Sequence, residues 1–231
     1  MRLYRSFQRC RVMALTMALF ASVGLQQTVA ALPPVACVIA PGDTTINVSG
    51  VPLKPEDISP LLVGESIPAM TLPNAAGNPT DLQALIGQKP TILIFYRGGW
   101  CPYCNKQLAG LQQVEKELND MGYQMIAVST DSPENLQKTT DKQKLTYTLL
   151  SDADLALSKK VGIAFKAPKN YDSFLPGASG GKNTDKLLPV PSVFILTKKG
   201  KIAFEYINPD MTQRIGAGLL KAAAESLVKE L

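Results

Sequence analysis

The chain has 231 residues, enough for one sizeable α/β domain with extensions or for two small domains, and its 45% hydrophobic content supports a packed core and argues against disorder. The formal charge is +5, but Arg2, Arg5, Arg9 and Arg11 fall within the first thirty residues, which hold no acid; setting them aside leaves 20 of the 24 basic residues against 19 acids, a charge of +1. The basic balance therefore belongs to the N-terminus and gives no support to nucleic-acid binding by the rest of the chain.

That N-terminus reads as a secretory signal over residues 1–30. A basic region, Met1 to Arg11, precedes an apolar run from Val12 to about Leu25, and the small residues Ala30 and Ala31 follow Thr28 and Val29 as a cleavage site requires. The run is short for a comfortable membrane span, with an uncleaved anchor as the alternative. Cys37, behind Pro33-Pro34-Val35-Ala36, fits a lipoprotein cysteine poorly, because Pro34 stands where such sites carry Leu; it reads as a spare thiol. Export to the periplasm or the cell exterior is expected. Thiols there tend to be oxidised, so a dithiol must be kept reduced by a partner or work as a disulfide.

Residues 31–60 are rich in Pro, Gly, Thr and Asp without periodicity, and predict an extended N-terminal arm with a short strand at Thr45–Val48. The redox domain then spans 61–231. Met70 to Pro73 predicts a short strand, Asn74 to Thr80 a turn, and Asp81 to Leu85 a helical turn capped by Asp81 or Thr80. Thr91-Ile92-Leu93-Ile94-Phe95-Tyr96 is the continuous apolar pattern of a strand buried on both faces. A glycine corner, Arg97-Gly98-Gly99, leads into Trp100-Cys101-Pro102-Tyr103-Cys104 and a helix with Leu108, Leu111, Val114 and Leu118 on one face. A second apolar strand is Gln124–Ser129, and Ser132-Pro133 starts a helix with Pro at its first position. Tyr147–Ser151 predicts another strand, Asp152–Leu155 opens a helix that closes at Gly162, and Asn170–Lys186 predicts an exposed insertion loop. Pro191 precedes the strand Ser192–Leu196, Lys198–Lys201 turns a hairpin into Ile202–Tyr206, and a last helix spans about Gln213 to Leu231. The alternation implies a mostly parallel sheet covered by helices on both faces, with an antiparallel edge.

The two cysteines of the corner sit where unpaired helix N–H groups and the positive dipole end favour thiolate, and their spacing brings both sulfurs to one helix face within disulfide range. A redox dithiol follows. A zinc site lacks partners, since the chain has no His and only Cys10 and Cys37 besides. No nucleotide or flavin motif occurs, and no cofactor is expected.

From about Leu61 onward the chain resembles the thioredoxin-fold redoxins, and within them the peroxiredoxin-like branch of the alkyl hydroperoxide reductase / thiol-specific antioxidant (AhpC/TSA) family. The stretches VGESIPAMTLPNAAGNPTDLQALIGQKPTILIFYRGGWCPYC, IAVSTDSPE, SDADLALSKKVGI and PSVFILTKKGKIAFEYINPD carry the likeness. The resemblance implies a thioredoxin-like α/β fold with a central mixed sheet. It also implies a thiol-dependent peroxidase acting on hydrogen peroxide or organic hydroperoxides and recycled by a thioredoxin-like or other thiol reductant. In the family's Pro-x-x-x-Thr-x-x-Cys pattern the Cys falls on Cys104, the Thr on Cys101 and the Pro on Arg97, and a family arginine falls on Pro191. The Trp-Cys-Pro-Tyr-Cys stretch and the Pro before the strand are instead similar to thioredoxins, in which the first cysteine attacks.

Two activities stay open. A peroxidase would use the recessed Cys104 for attack, with Arg97 as the cation beside it; an exported thiol–disulfide oxidoreductase would use the more exposed Cys101 on protein disulfides. A third reading, a non-enzymatic binding or metal-delivery module, is disfavoured by the absence of His. Trp100 and Tyr103 are expected to line the approach to the sulfurs, with Pro191 beside them.

Overall fold

The computed structural model of the protein describes residues 50–230, so the expected signal segment at 1–30, most of the expected 31–60 arm and the expected strand at Thr45–Val48 lie outside the described residues. Five strands form the central sheet. In chain order the elements are β1 (Thr71–Pro73), β2 (Pro79–Asp81), α1 (Leu82–Ile86), β3 (Thr91–Tyr96), α2 (Pro102–Gln112), α3 (Glu115–Asp120), β4 (Gln124–Ser129), α4 (Pro133–Gln143), β5 (Thr148–Ser151), α5 (Ala156–Val161), β6 (Ala164–Lys166), α6 (Leu175–Ala178), β7 (Leu187–Pro189), β8 (Ser192–Leu196), β9 (Ile202–Ile207) and α7 (Ala217–Leu227). The sheet order is β5-β4-β3-β8-β9, with β3, β4 and β5 parallel and β8 and β9 antiparallel. This is the expected mixed α/β sheet.

β3 lies at the centre, and all six of its residues are buried, as its unbroken apolar run requires. Alternate side chains serve two cores. Ile92, Ile94 and Tyr96 pack with Cys101, Cys104, Leu108 and Leu220 on one face, and Leu93 and Phe95 pack with Leu82, Ile86 and Leu157 on the other. Asp81 caps α1 as read from the sequence, its Oδ1 accepting from the N–H groups of Gln83 and Ala84 at 2.8 and 3.2 Å.

Several details differ from the sequence reading, among them the short antiparallel pair β6–β7, which it did not include. The expected single cysteine helix is two, α2 and α3, divided at Gln113 and Val114. The turn region after β1 holds a returning strand, β2. Residues 170–186 are not simply an exposed loop: Leu175, Ala178, Ser179 and Asn183 are buried, and the segment carries α6. Asn183 helps to hold it, donating to Leu187 O and accepting from Leu187 N at 2.8 and 2.9 Å, so that a buried side chain stands in for backbone partners. Finally, α7 begins at Ala217 rather than Gln213, because Asp210 Oδ1 accepts from the N–H and hydroxyl of Thr212 and turns the chain there.

Among the described residues of the arm, Val51 is buried with Leu155, Ala164 and Leu187, and Pro52 O accepts from Lys166 N at 2.8 Å. No described helix is long and apolar enough to cross a membrane.

Candidate active site

The end of β3 delivers its corner to the start of α2. Cys101 is the N-cap residue of α2, Pro102 occupies the first turn, and Cys104 lies one turn inward. Cys101 N donates to Gly98 O at 3.1 Å and Cys101 O accepts from Asn105 N at 3.0 Å, so the first cysteine closes the corner and opens the helix. Both cysteines are free thiols here. The expectation that Cys101 would be the exposed sulfur is not met. It is 1% exposed and Cys104 is 0% exposed, because neighbouring segments cover the corner.

The charge is nevertheless unevenly shared. Cys101 accepts a hydrogen bond from the Cys104 thiol, which is the main reason its pKa is lowered from 9.0 to about 6; burial opposes this, and the Cys104 backbone N–H, Arg97 and Arg214 assist. Burial pushes Cys104 well up, and its donation to Cys101 pushes it further. Within the pair, negative charge is therefore favoured at the helix start over the position one turn in, as the unpaired N–H groups of the first turn favour.

Two arginines attend the pair. Arg97 is 3% exposed, with its guanidinium carbon 5.2 Å from the Trp100 ring centroid and 4.7 Å from that of Tyr171, and its Nη1 donates to the Met211 sulfur. Its backbone N–H also serves the Cys104 sulfur. Arg214, which the sequence reading placed within the last helix and gave no role, reaches Cys104 Sγ through Nη2 at 3.7 Å. The loop before α7 brings it there.

Asp131 is the other residue that sequence reasoning missed. It follows β4 at the same sheet end, is 1% exposed, and accepts from Gly99 N through Oδ2 at 2.6 Å. Thr130 Oγ1 donates to Arg97 O at 2.9 Å beside it. Both glycines of the corner are required by crowding. A Cβ on Gly99 would stand 1.8 Å from Thr139 Oγ1 of α4, and one on Gly98 would stand 2.2 Å from Trp100 Nε1 and 2.7 Å from Asp131 Oδ1. Burial raises the Asp131 pKa from 3.8 to about 6 against the help of Gly99 N–H and the Trp100 indole.

Of the residues expected to line the approach, Trp100 walls a cavity of about 400 Å³ together with Gly99, Asn105, Asp131, Lys138 and Phe174. Phe174 packs edge-on to Trp100 with ring centroids 4.9 Å apart. Tyr103 is 42% exposed and lines a second cavity of about 370 Å³ with Lys106, Gln107 and Arg214. Pro191 is buried just before β8, whose Ser192 pairs with Phe95, so it lies at the cysteine end of the sheet but lines neither cavity. The peptide bond before Pro191, like every described one, is trans. Among the described residues no cluster of three or more His, Cys, Asp or Glu is placed to hold a metal ion.

The sequence profile of the AhpC/TSA family matches residues 63–205. Peroxiredoxin Bcp of Escherichia coli K12 is 33% identical over 132 residues, covering 53% of this chain and 83% of that protein. Among solved structures, peroxidoxin BcpB of Mycobacterium tuberculosis superposes with a TM-score of 0.58 at 19% identity, covering 73% of this chain and 97% of that one. Peroxiredoxin Q of Xanthomonas campestris gives 0.55 at 19% identity, covering 69% and 91%. At such identity the two structures speak for the fold alone, and the fold is theirs. With the family profile spanning more than half of its length, the chain belongs to the AhpC/TSA family, as a thioredoxin-fold redoxin of the peroxiredoxin-like branch.

Proposed function

We propose that this thiol-dependent peroxidase reduces hydrogen peroxide or an organic hydroperoxide through a Cys101–Cys104 dithiol–disulfide cycle in which Cys101 attacks. The observation that carries this reading is the placement of the two sulfurs: Cys101 caps the start of α2 beside its unpaired N–H groups, and Cys104 lies fully buried one turn in. The Cys101 thiolate attacks one peroxide oxygen, the O–O bond breaks, and the other oxygen leaves and takes up a proton as water or an alcohol. The sulfur is oxidised to sulfenic acid. Cys104 then gives up its proton, its sulfur bonds to Cys101, and the sulfenic oxygen leaves as water. A thioredoxin-like protein or another thiol returns two electrons and two protons and restores the dithiol. Arg97, with an unpartnered Nε, and Arg214 supply positive charge where negative charge moves from sulfur to oxygen.

The family pattern would put the attacking cysteine at Cys104, but a thiol raised by burial is the poorer nucleophile and the better reserve for the second step. Exchange with protein disulfides, the competing activity, is supported by the Cys-Pro-Tyr-Cys stretch and opposed by the burial of both sulfurs, which suits a small oxidant better than a folded client. Export is part of the proposal, supported by the Arg-rich start and the apolar run before Ala30-Ala31. Rapid mixing of reduced protein with hydroperoxide tests the cycle: two thiols should vanish per peroxide consumed, and a loss of one thiol with no internal disulfide would reject it.

A further inference from the structure

Closing the disulfide asks for a second ionisation, and the sulfur that must ionise is the worse placed of the two. Cys104 is fully buried among Ile92, Tyr96, Leu108 and Leu220, where burial disfavours the thiolate it must become. The charged and titratable groups around it come from separate elements. Cys101 stands beside it on the same corner, the Tyr96 hydroxyl at the end of β3 is held uncharged by burial, and Arg214 reaches it from the loop before α7. Arg97 lends it a backbone N–H, while the Arg97 guanidinium lies against Trp100 and Tyr171.

Arg214 is the cation in contact with this sulfur. Its Nη2 lies 3.7 Å from Cys104 Sγ, its Nη1 donates to Gln213 O at 2.9 Å, and it takes part in no described salt bridge. The side chain is half-buried and lines the cavity of about 370 Å³ with Tyr103 and Lys106. It thus meets solvent on one side and a fully buried sulfur on the other, and a cation that keeps part of its hydration costs less to hold there than one wholly desolvated. Its backbone is set from both sides. Asp210 turns the chain through Thr212, and Ile215 is buried in the same core as Cys104. Burial pushes the Cys104 thiol up and Cys101 adds to this; Arg214 is the foremost influence in the other direction.

We propose that Arg214 is a catalytic residue of the second chemical step, holding the negative charge that develops on Cys104 as it closes the disulfide. The inference rests on the cycle proposed above and assigns this arginine to one half of it. In that step the Cys104 S–H bond breaks, a sulfur–sulfur bond forms to the Cys101 sulfenic acid, and the S–O bond breaks. The proton from Cys104 leaves with the sulfenic oxygen as water. One guanidinium N–H facing the inner sulfur gives the transient thiolate a charge-assisted hydrogen bond where no water reaches it.

Single-turnover oxidation of the reduced full chain, with hydrogen peroxide in excess so that disulfide closure limits, tests this in Arg214→Met and Arg214→Lys. Peroxide consumption reads the attack, a dimedone trap located by peptide mass reads sulfenic acid, and loss of two hydrogens from the peptide holding both cysteines reads closure. Arg214→Met should slow closure by about tenfold or more, and by a larger factor than attack, so that trapped sulfenic acid builds up on Cys101. The pH at which closure reaches half its maximal rate should move upward, because Cys104 then ionises without its cation, and Arg214→Lys should recover part of both effects. A lost packing contact would neither shift that pH nor be repaired by another cation. Closure at the parental rate and pH in Arg214→Met, or attack and closure slowed by the same factor, would overturn the proposal. Sulfenic acid on Cys101 with closure unchanged removes the role of Arg214 alone. Sulfenic acid trapped on Cys104, or no rapid oxidation of the parent, removes the cycle itself and the proposal with it.

Discussion

At the scale of residues, the site turns on two sulfurs of the same kind in different surroundings. Cys101 has the helix start, the Cys104 thiol and two arginines to hold its charge, and its pKa falls to about 6; Cys104 has burial against it. The rate of reaction with peroxide should therefore rise with pH through about 6 and level off, and a profile rising through the ordinary thiol range near 9.0 would contradict the assignment. Arg97→Ala should slow peroxide attack by roughly 100-fold, about 3 kcal/mol, as loss of one donor to developing charge typically does. Asp131 gives a linkage prediction of opposite sign to the thiolate's. Its folded pKa of about 6 lies above the ordinary 3.8, so its contribution to stability is full below about pH 4 and is lost as pH rises towards 6. For Cys101 the folded value lies below the unfolded one, so reduced protein gains stability as pH rises from about 6 to 9. Urea unfolding of Asp131→Asn, which keeps an oxygen for Gly99 N–H, should lack the acid-range loss that the parent shows; an unchanged slope would show that other carboxyls, such as Asp152, carry it.

At the scale of elements, the corner between β3 and α2 is pinned from three directions: β4 through Asp131, α4 through Thr139, and the 170–186 segment through Tyr171 and Phe174. Gly99→Ala should destabilise by several kcal/mol because its Cβ would land inside the Thr139 hydroxyl, and Thr139→Gly in the same chain should restore much of the loss. Near-parental stability for Gly99→Ala would show that α4 yields more easily than this packing implies. The central strand, the corner and the two cysteines were legible in the sequence because their signals are local: an unbroken apolar run, two glycines and a Cys-x-x-Cys. The attending groups were not. Arg214 comes from 110 residues beyond Cys104, on a turn made by Asp210 where apolar spacing mimics an early helix start. Tyr171 and Phe174 sit in a stretch whose glycine-rich composition reads as loose, and only tertiary contact with Trp100 gives them a place. Asp131 follows β4 as one more polar residue after a strand, with nothing nearby in sequence to show that it meets Gly99.

At the scale of the whole molecule, an α/β sheet buries a reactive pair at one end and closes it with segments drawn from distant parts of the chain. Export is proposed from the signal-like start alone; under that proposal N-terminal sequencing of the mature protein should begin near Ala31 or Leu32, whereas soluble protein still beginning at Met1 would contradict it. The central claim is that Cys101 is the attacking thiolate and Cys104 the partner that resolves it. Trp100, the sole tryptophan, lies next to Cys101 and reports on it directly. Stopped-flow fluorescence of the reduced full chain mixed with hydroperoxide should show fast oxidation in the parent and none in Cys101→Ser. In Cys104→Ser it should show attack that stalls at sulfenic acid, slowed by loss of the thiol that lowers the Cys101 pKa. Fast oxidation retained in Cys101→Ser and abolished in Cys104→Ser would contradict the account and return the attack to the inner sulfur.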